Sequence, residues 1–385
     1  MIRRQIPLWF LLIAHLTLGG CSEVPSVKFF SPSDYPKRLS DWGLFQVSVT
    51  TLDLHPDNHI YVLNTPLFTD YAQKLRTVYL PSGMQAEFRA DAAFNFPVGT
   101  IVSKTFYYNT APQQDTNAAK VISLQHATDP EPGRLTRVGV HLLETRLLVK
   151  QAHGWDALPY VWSGDDAYLQ ISGDLQILQT SSQQAVNYMV PSRNQCASCH
   201  ATNHTTGALQ PIGLQARHLH RPDPMRGGNQ LSNWAAQNRL AKLPALRDIM
   251  PAAAWQDYVD AVDADRETQL DNATLSHLAR SYLDINCGHC HNPDGAADTS
   301  ALLLHYANQS DASLGICKPP IAAGRGSGGL LYSIVPGEAD QSILTFRMQT
   351  TDPAAMMPEL GRSLVDTLGH RLISAWINRM SGECR

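Results

Sequence analysis

Two copies of the pattern Cys-x-x-Cys-His constrain this 385-residue chain more than any other feature. They are Cys196-Ala-Ser-Cys199-His200 and Cys287-Gly-His-Cys290-His291. Two thiols about one helical turn apart can add to the two vinyl groups of one haem, and the adjacent His then lies under the iron as its proximal ligand. The sequence therefore predicts two covalently bound haem c groups, each attached through two Cys and ligated by one His.

A zinc site and a thioredoxin-like redox site are the alternative interpretations of the two Cys pairs. A four-Cys zinc site usually keeps its pairs within about 15–20 residues of each other, whereas Cys196 and Cys287 are 91 positions apart. Zinc gives no reason for a His to follow both pairs. A thioredoxin-like motif expects a βαβ pattern, which neither site has. Haem attachment therefore explains both motifs best.

The N-terminal segment has the pattern of a lipoprotein signal peptide. Arg3 and Arg4 precede an apolar run over residues 6–18, which is too short to span a bilayer as a permanent helix. The run ends in Leu-Gly-Gly-Cys21, which resembles the lipobox of bacterial lipoproteins. We therefore expect residues 1–20 to be removed and Cys21 to be lipidated. An ordinary signal peptide followed by an unrelated Cys is the alternative.

A lipidated Cys21 would hold the chain at a membrane surface, with residues 21–43 as the linker. Several acyl chains anchor a protein stably, since each buried methylene contributes about 0.8 kcal/mol. Ser22, rather than Asp, follows the Cys, which is the pattern of sorting to the outer membrane. The predicted location is the cell envelope, at the periplasmic face of the outer membrane.

Cys317 and Cys384 remain after the lipid and haem cysteines are assigned. An even remainder in an oxidising compartment predicts a disulfide. It would close a loop of 67 residues and contribute about 4 kcal/mol in the chain-entropy model. Two unpaired thiols are the alternative.

Composition and charge limit the classes of partner. With 43% hydrophobic and 17% charged residues, the chain is a folded protein long enough for two or three domains. Removal of residues 1–20 would leave 28 basic against 34 acidic side chains, a formal charge of −6. Nucleic acid requires a basic stripe, and none is visible. We therefore expect no nucleic-acid partner.

Residues 44–190 have a strand-like pattern with Pro, Gly and Asp turns between the runs. The clearest runs are 45–49, 59–63, 100–108 and 137–141. This region is predicted to be an all-β domain, and it has no signature that indicates its role.

Two haem regions are predicted to follow, over residues 191–268 and 269–385. Apolar residues at helical spacing indicate a helix over 229–240 in the first region. In the second region, helical stripes over 274–285 and 364–380 resemble the paired terminal helices of a class I cytochrome c, with Tyr282 and Trp376 as contact candidates. The expected fold class is α+β: an N-terminal all-β domain followed by mainly α-helical, cytochrome c-like haem domains.

Five further stretches resemble a bacterial family of di-haem c-type cytochrome lipoproteins. They are Thr65-Pro-Leu-Phe-Thr-Asp-Tyr71, Tyr160-Val-Trp162, Gln210-Pro-Ile-Gly213, Cys317-Lys-Pro-Pro-Ile-Ala-Ala-Gly-Arg-Gly-Ser-Gly328 and Met356-Met-Pro-Glu-Leu-Gly-Arg362. The resemblance covers nearly the whole chain after residue 20. It implies the two haems and a parallel β-helix protein as a partner, but no particular electron donor or acceptor.

Met357 is the predicted sixth ligand of the second haem iron. It lies 66 positions after His291 and just before the predicted C-terminal helix, where a class I cytochrome c carries its distal Met. Pro358 restricts Met357 to an extended conformation and stiffens the loop. Met356 is the main rival and Met348 a more distant one, and core packing is the structural alternative.

The sixth ligand of the first haem is less constrained. Met250 leads on spacing, since it lies 50 positions after His200 and precedes Pro251. A core Met at a helix end is an equal alternative. The other candidates in the region are Met225, His204, His218 and His220.

The predicted function is the transfer of single electrons between unidentified redox partner proteins at the cell envelope. One alternative is a di-haem peroxidase-like enzyme, in which one iron keeps an open position. Another makes the β-rich domain a sensing or binding module with the haems as its redox output. A motif identifies the cofactor and not the reaction, so these alternatives stay open.

Overall fold

The computed structural model describes residues 26–110, 121–123, 131–321 and 324–385. Cys21 and the predicted signal peptide therefore lie outside the described residues. The strands are β1 Phe45–Val47, β2 Thr51–Leu54, β3 Asn58–Ile60, β4 Gln73–Tyr79, β5 Ala86–Glu87, β6 Ile101–Thr110, β7 Val121–Ser123, β8 Arg134–Thr136, β9 Val140–Gln151, β10 Gly154–Ser163, β11 Asp166–Leu169, β12 Asp174–Thr180, β13 Ala185–Val190 and β14 Leu240–Ala241. The α-helices are α1 Arg193–His200, α2 Ala216–Leu219, α3 Gln230–Ala236, α4 Trp255–Asp263, α5 Asn272–Asn286, α6 Asp311–Leu314, α7 Ile343–Gln349 and α8 Thr367–Asn378.

A nine-stranded sheet dominates the first 190 residues. Its order is β11-β10-β9-β6-β7-β12-β13, with β4 also paired to β6 and β3 paired to β4. The neighbours are antiparallel except β7 and β12, which run parallel. The longest strands are β6, β9 and β10. β6 and β10 are rich in the β-branched and aromatic residues that fit a pleated surface, and β9 carries four leucines.

The two faces of this sheet are covered by different parts of the chain. One face presents Leu75, Leu147 and Tyr160, which pack in one core with Leu39 and Trp42 of the N-terminal segment. The Trp42 indole N–H donates a hydrogen bond of 2.8 Å to the Tyr160 hydroxyl. The N-terminal segment therefore closes this face.

The opposite face of the sheet supports the first Cys-x-x-Cys-His motif. Val102 and Trp155 lie in one buried core with Cys196. Leu214 and Ile285, from further along the chain, join the same core. The C-terminal half of the chain therefore packs on this face of the sheet.

The expectation of mainly α-helical, cytochrome c-like domains after residue 190 is wrong. The described chain is 25% helical and 24% strand, and loops and short 3₁₀ turns separate its eight α-helices. The helix expected over 229–240 ends at Ala236. Asn238 has a φ of 55°, and Leu240 pairs with Ala86 of β5. Long-range strand pairing thus overrides the local helical spacing there.

Helices α5 and α8 coincide with the two strongest helical stripes and pack on each other. Asp271 and Asp366 cap their N-termini by accepting backbone hydrogen bonds. A Cβ at Gly369 of α8 would lie 2.3 Å from the Tyr282 hydroxyl oxygen on α5, so the crossing requires glycine. Tyr282 and Trp376 lie in the same buried core. No helix in the described part of the chain is long and apolar enough to cross a membrane.

Candidate functional site

The first motif occupies a short, well-capped helix. The Ser192 hydroxyl accepts a hydrogen bond from the Gln195 backbone, and the Gln195 side chain accepts one from the Ser192 backbone. This reciprocal cap starts α1 three residues before Cys196 and places Cys199 and His200 about one turn after Cys196. The Ser-x-x-Gln pattern at 192–195 was the sequence signal for this helix, and the sequence prediction missed it.

The His200 ring is oriented by a backbone hydrogen bond. Its Nδ1 lies 2.7 Å from the Gln210 carbonyl oxygen, and since a carbonyl only accepts, Nδ1 must carry the proton. Burial lowers the pKa of His200 to about 4. The neutral ring therefore keeps its Nε2 lone pair available, which is the arrangement that orients metal-binding histidines.

The second motif repeats this arrangement after the C-terminus of α5. The His291 Nδ1 donates to the Leu302 carbonyl oxygen at 3.1 Å, and burial lowers the pKa of His291 to about 4. A Cβ on Gly288 would lie 2.6 Å from the Asp284 carbonyl oxygen and 3.0 Å from the His305 Cα, so the tight turn between Cys287 and Cys290 needs glycine there.

The two motifs lie side by side, although 91 residues separate them in the chain. The Cys290 sulfur lies 3.4 Å from the Ser198 carbonyl oxygen. The Cys290 thiol also donates a hydrogen bond to the Cys199 sulfur. This hydrogen bond lowers the pKa of Cys199 and raises the pKa of Cys290. All four motif cysteines are free of disulfides. Groups attached to Cys199 and Cys290 would therefore be neighbours.

A cavity of about 820 Å³ opens between the two motifs, and Cys199 of the first motif lines it. Cys287, Cys290 and His291 line it together with Met348 and Met357. Its apolar wall includes Phe68, Leu302, Leu304, Ile343 and Leu344. Ligand cavities commonly measure about 300–1,000 Å³ and are mostly apolar. The cavity thus has the size and lining of a site for a large, flat, apolar group.

The loop that carries Met357 is fixed by buried polar contacts. The Arg362 guanidinium is 8% exposed and donates to the carbonyl oxygens of Met357, Arg347 and Thr350. The Asp70 carboxylate accepts from the backbone of Ser363. The Met357 side chain is therefore held at the cavity by residues from both halves of the chain.

The structure does not bring Met250 to the larger cavity. Met250 is 61% exposed and lines a second cavity of about 610 Å³, whose described lining does not include Cys199 or His200. Met356 is buried but is not part of the described lining of the larger cavity, whereas His204 is. The ring of His220 donates to the Ile249 carbonyl oxygen at 3.0 Å.

A buried ion-pair centre, which the sequence did not reveal, joins the segments that carry the two motifs. Asp284 on α5 accepts hydrogen bonds from the Arg217 guanidinium, from His218 at 2.9 Å and from the Tyr306 backbone at 2.8 Å. Burial raises the pKa of Asp284, but the hydrogen bond from His218 and the nearby Arg217 guanidinium outweigh this effect and hold the pKa at about 2. The Arg217 guanidinium stacks 3.7 Å from the Tyr306 ring.

The C-terminal cysteines are joined. Cys317 and Cys384 form a disulfide across the 67-residue loop. It ties the C-terminal segment that follows α8 to the loop that follows α6.

No three His, Cys, Asp or Glu side chains within the described ranges lie close enough together to hold a metal ion. A zinc site needs such a group, whereas a haem iron takes most of its bonds from the porphyrin.

No protein-family model, curated protein or solved structure matches this chain.

Proposed function

We propose that this chain is a di-haem c-type electron-transfer protein. One observation carries the proposal: both motif histidines donate Nδ1–H to a backbone carbonyl and keep Nε2 free, beside pairs of unbridged thiols. A dithiol redox site would not need an oriented His after each Cys pair, because only the two Cys react there.

Two sets of residues would hold the groups. Cys196, Cys199 and His200 would hold the first haem, and Cys287, Cys290 and His291 the second. Met357 is the proposed sixth ligand of the second iron, because it lines the same cavity as His291. A haem iron held by His and Met cycles between two oxidation states and so carries one electron at a relatively high potential.

The contact between Cys199 and Cys290 supports transfer between the two groups. Attachment residues that touch would place the two groups as neighbours, so an electron entering at one would have a short path to the other. The larger cavity is lined by Pro319, Pro320 and Ile321, and Ile321 is 57% exposed. This rim is where we expect a partner protein to approach the second group.

A redox titration followed by the visible spectrum tests this function. We expect two one-electron steps, low-spin spectra in both oxidation states, and a long-wavelength Met–iron band that disappears on reduction. Rapid carbon monoxide binding to both reduced irons, with no Met–iron band, would contradict the proposed electron-transfer role.

The exposure of Met250 favours one second candidate, a peroxidase-like enzyme with an open position at the first iron. In that case one reduced iron would bind carbon monoxide while the other stayed six-coordinate. Peroxide would then be consumed in the presence of a reduced electron donor. The same spectra therefore separate the two candidate functions.

The location and partners are proposals as well. Cys21, which lies outside the described residues, would anchor the chain at the periplasmic face of the outer membrane. Cys21→Ala should then release the protein from membranes without detergent, and a wild-type protein that is already released would contradict the anchor. The parallel β-helix partner can be tested by co-purification from the membrane fraction.

A further inference from the structure

Three basic side chains form a row across the sheet face that supports the first motif. Arg76 on β4 is directly opposite Lys104 on β6, and Lys104 is directly opposite Arg146 on β9. We call these three residues the cation row. Lys74 lies beside it: the ammonium groups of Lys74 and Lys104 lie 5.6 and 5.7 Å from the centre of the Phe106 ring.

The cation row carries more positive charge than its surroundings balance. Like charges directly opposite each other destabilise a sheet. Glu144 is fully buried and binds the Arg146 guanidinium, but it also accepts a 2.6 Å hydrogen bond from Tyr188. Burial, together with Arg76 and Arg146, lowers the pKa of Lys104 to about 7. The carboxylate of Glu144 therefore faces three basic side chains and balances the charge of one of them, Arg146.

Arg76 has donors that nothing in the described chain accepts. The residue is 8% exposed, and its Nε and Nη2 atoms are buried without a hydrogen-bond partner. Leaving a buried donor unsatisfied costs about 1–3 kcal/mol. A guanidinium edge with two free donors matches a carboxylate, which it can bind through two parallel hydrogen bonds.

The cation row lies next to the first motif. Val102 lies two residues before Lys104 on β6 and on the same face of the sheet, and it packs in the buried core that contains Cys196. The charge of Lys104 interacts with Cys199 and His200, and that of Arg146 with Cys196. Three adjacent strands span about 10 Å. The row is therefore comparable in extent to one edge of a porphyrin.

We propose that the cation row binds the two propionate carboxylates of the haem attached at Cys196 and Cys199. The inference rests on the proposed function. A haem attached through its vinyl groups has its propionates on the edge away from the thioether bonds. Two carboxylates would supply acceptors for Arg76 and compensate the charges of Arg76 and Lys104, which Glu144 leaves unbalanced.

The test uses the complete two-haem protein with Lys104→Gln and Arg76→Gln. Each change removes one positive charge beside the first haem and so stops favouring its reduced form. We expect one of the two reduction potentials to fall while the other stays. Met357→His, which acts on the second haem, identifies the step that should not move. Lys104→Arg keeps the charge and should shift the same step much less than Lys104→Gln does. Arg247→Gln removes a charge from a side chain that is 86% exposed and should shift neither step.

The possible results distinguish a failure of the cation row from a failure of the proposed electron-transfer function. Two covalent haems with both potentials unmoved in the Gln variants would overturn the cation row and leave the electron-transfer role intact. A Gln variant that loses the first haem, while Lys104→Arg keeps both, supports the row as an anchor. If added inorganic phosphate at constant ionic strength shifts the wild-type potential, a free anion fills the row and the inference is wrong. A wild type without two covalent haems would overturn the proposed function itself.

Discussion

The two Cys-x-x-Cys-His motifs lie side by side, and different surroundings face them. His200 and His291 are oriented by the same kind of hydrogen bond to a backbone carbonyl. Beyond that, buried basic side chains of the sheet lie near the first motif, whereas His291 of the second motif lines the apolar cavity together with Met357. Cys199 of the first motif reaches the same cavity. In the proposed function, the motif would therefore set the attachment and the proximal ligand of each haem, and the surroundings would set its sixth ligand and its reduction potential.

This contrast predicts two redox groups that are tuned by different means. At the second motif, an axial Met357 would be the main influence on the reduction potential. At the first motif, the charges of Lys104 and Arg76 would be the main influence. Neighbouring haems with different potentials would give a transferred electron a preferred direction.

The largest expected effect is the loss of one group at a time. Cys196→Ala with Cys199→Ala should reduce the covalent haem count from two to one, and Cys287→Ala with Cys290→Ala should do the same. Pyridine haemochrome spectra of the denatured protein measure this count. A haem count that stays at two in either double variant would show that the mutated motif does not attach haem.

The next effect is on the ion-pair centre that joins the two regions. Asp284→Asn leaves Arg217 and His218 as buried, uncompensated groups, so we expect the free energy of unfolding to fall by about 3–5 kcal/mol. Denaturant unfolding of the holoprotein measures it, and the exposed Asp263→Asn should change it by less than about 0.5 kcal/mol. A loss as small as that of the control would mean that the two regions are not joined there.

The same carboxylate predicts a pH dependence. The pKa of Asp284 is lowered from 3.8 to about 2 in the folded protein. Its ionised form therefore stabilises the fold above pH 3.8, and this contribution is lost as the pH falls through about 2. In Asp284→Asn, the decline in the free energy of unfolding between these pH values should be shallower than in the wild type.

Met357→His sharpens the contrast by changing only the second region. The iron should stay six-coordinate, the Met–iron band should vanish and the potential of the second haem should fall, because imidazole replaces the ligand associated with high potential. Met356→His is the matched control and should leave the spectrum unchanged. If Met348→His had these effects instead, the assignment would pass to Met348, which lines the same cavity.

Met250→Ala should have the smallest effect. Its exposure and its place on the second cavity predict no change in either haem spectrum. A lost Met–iron band in this variant would restore Met250 as the sixth ligand of the first iron. That result would also make the two regions more alike than the structure indicates.

The sequence was a good guide wherever the signal was local. The two motifs follow from residue identity alone, and α5 and α8 combine helical stripes with Asp caps at Asp271 and Asp366. These features depend on neighbours in the chain. Met357, which the spacing predicted as a ligand, lines the same cavity as His291, and its ligation stays a prediction.

The sequence failed where distant segments meet. The contact between Cys199 and Cys290 joins α1 to the turn that follows α5, 91 positions further along the chain, and no local pattern encodes it. The cation row needs the register of three strands. The charged residues at alternate positions, Lys74 and Arg76 on β4 and Glu144 and Arg146 on β9, were a visible hint. The fold class was wrong for a related reason, since loops fixed by side chains such as Arg362 take the place of the expected helices.

The most direct test of the central claim is the mass of the denatured wild-type chain, produced in a host that attaches c-type haem. The account predicts a mass increased by two haem groups, with both retained after acid extraction of free haem. A chain with the mass of the bare processed polypeptide would contradict the claim that these two motifs hold haem.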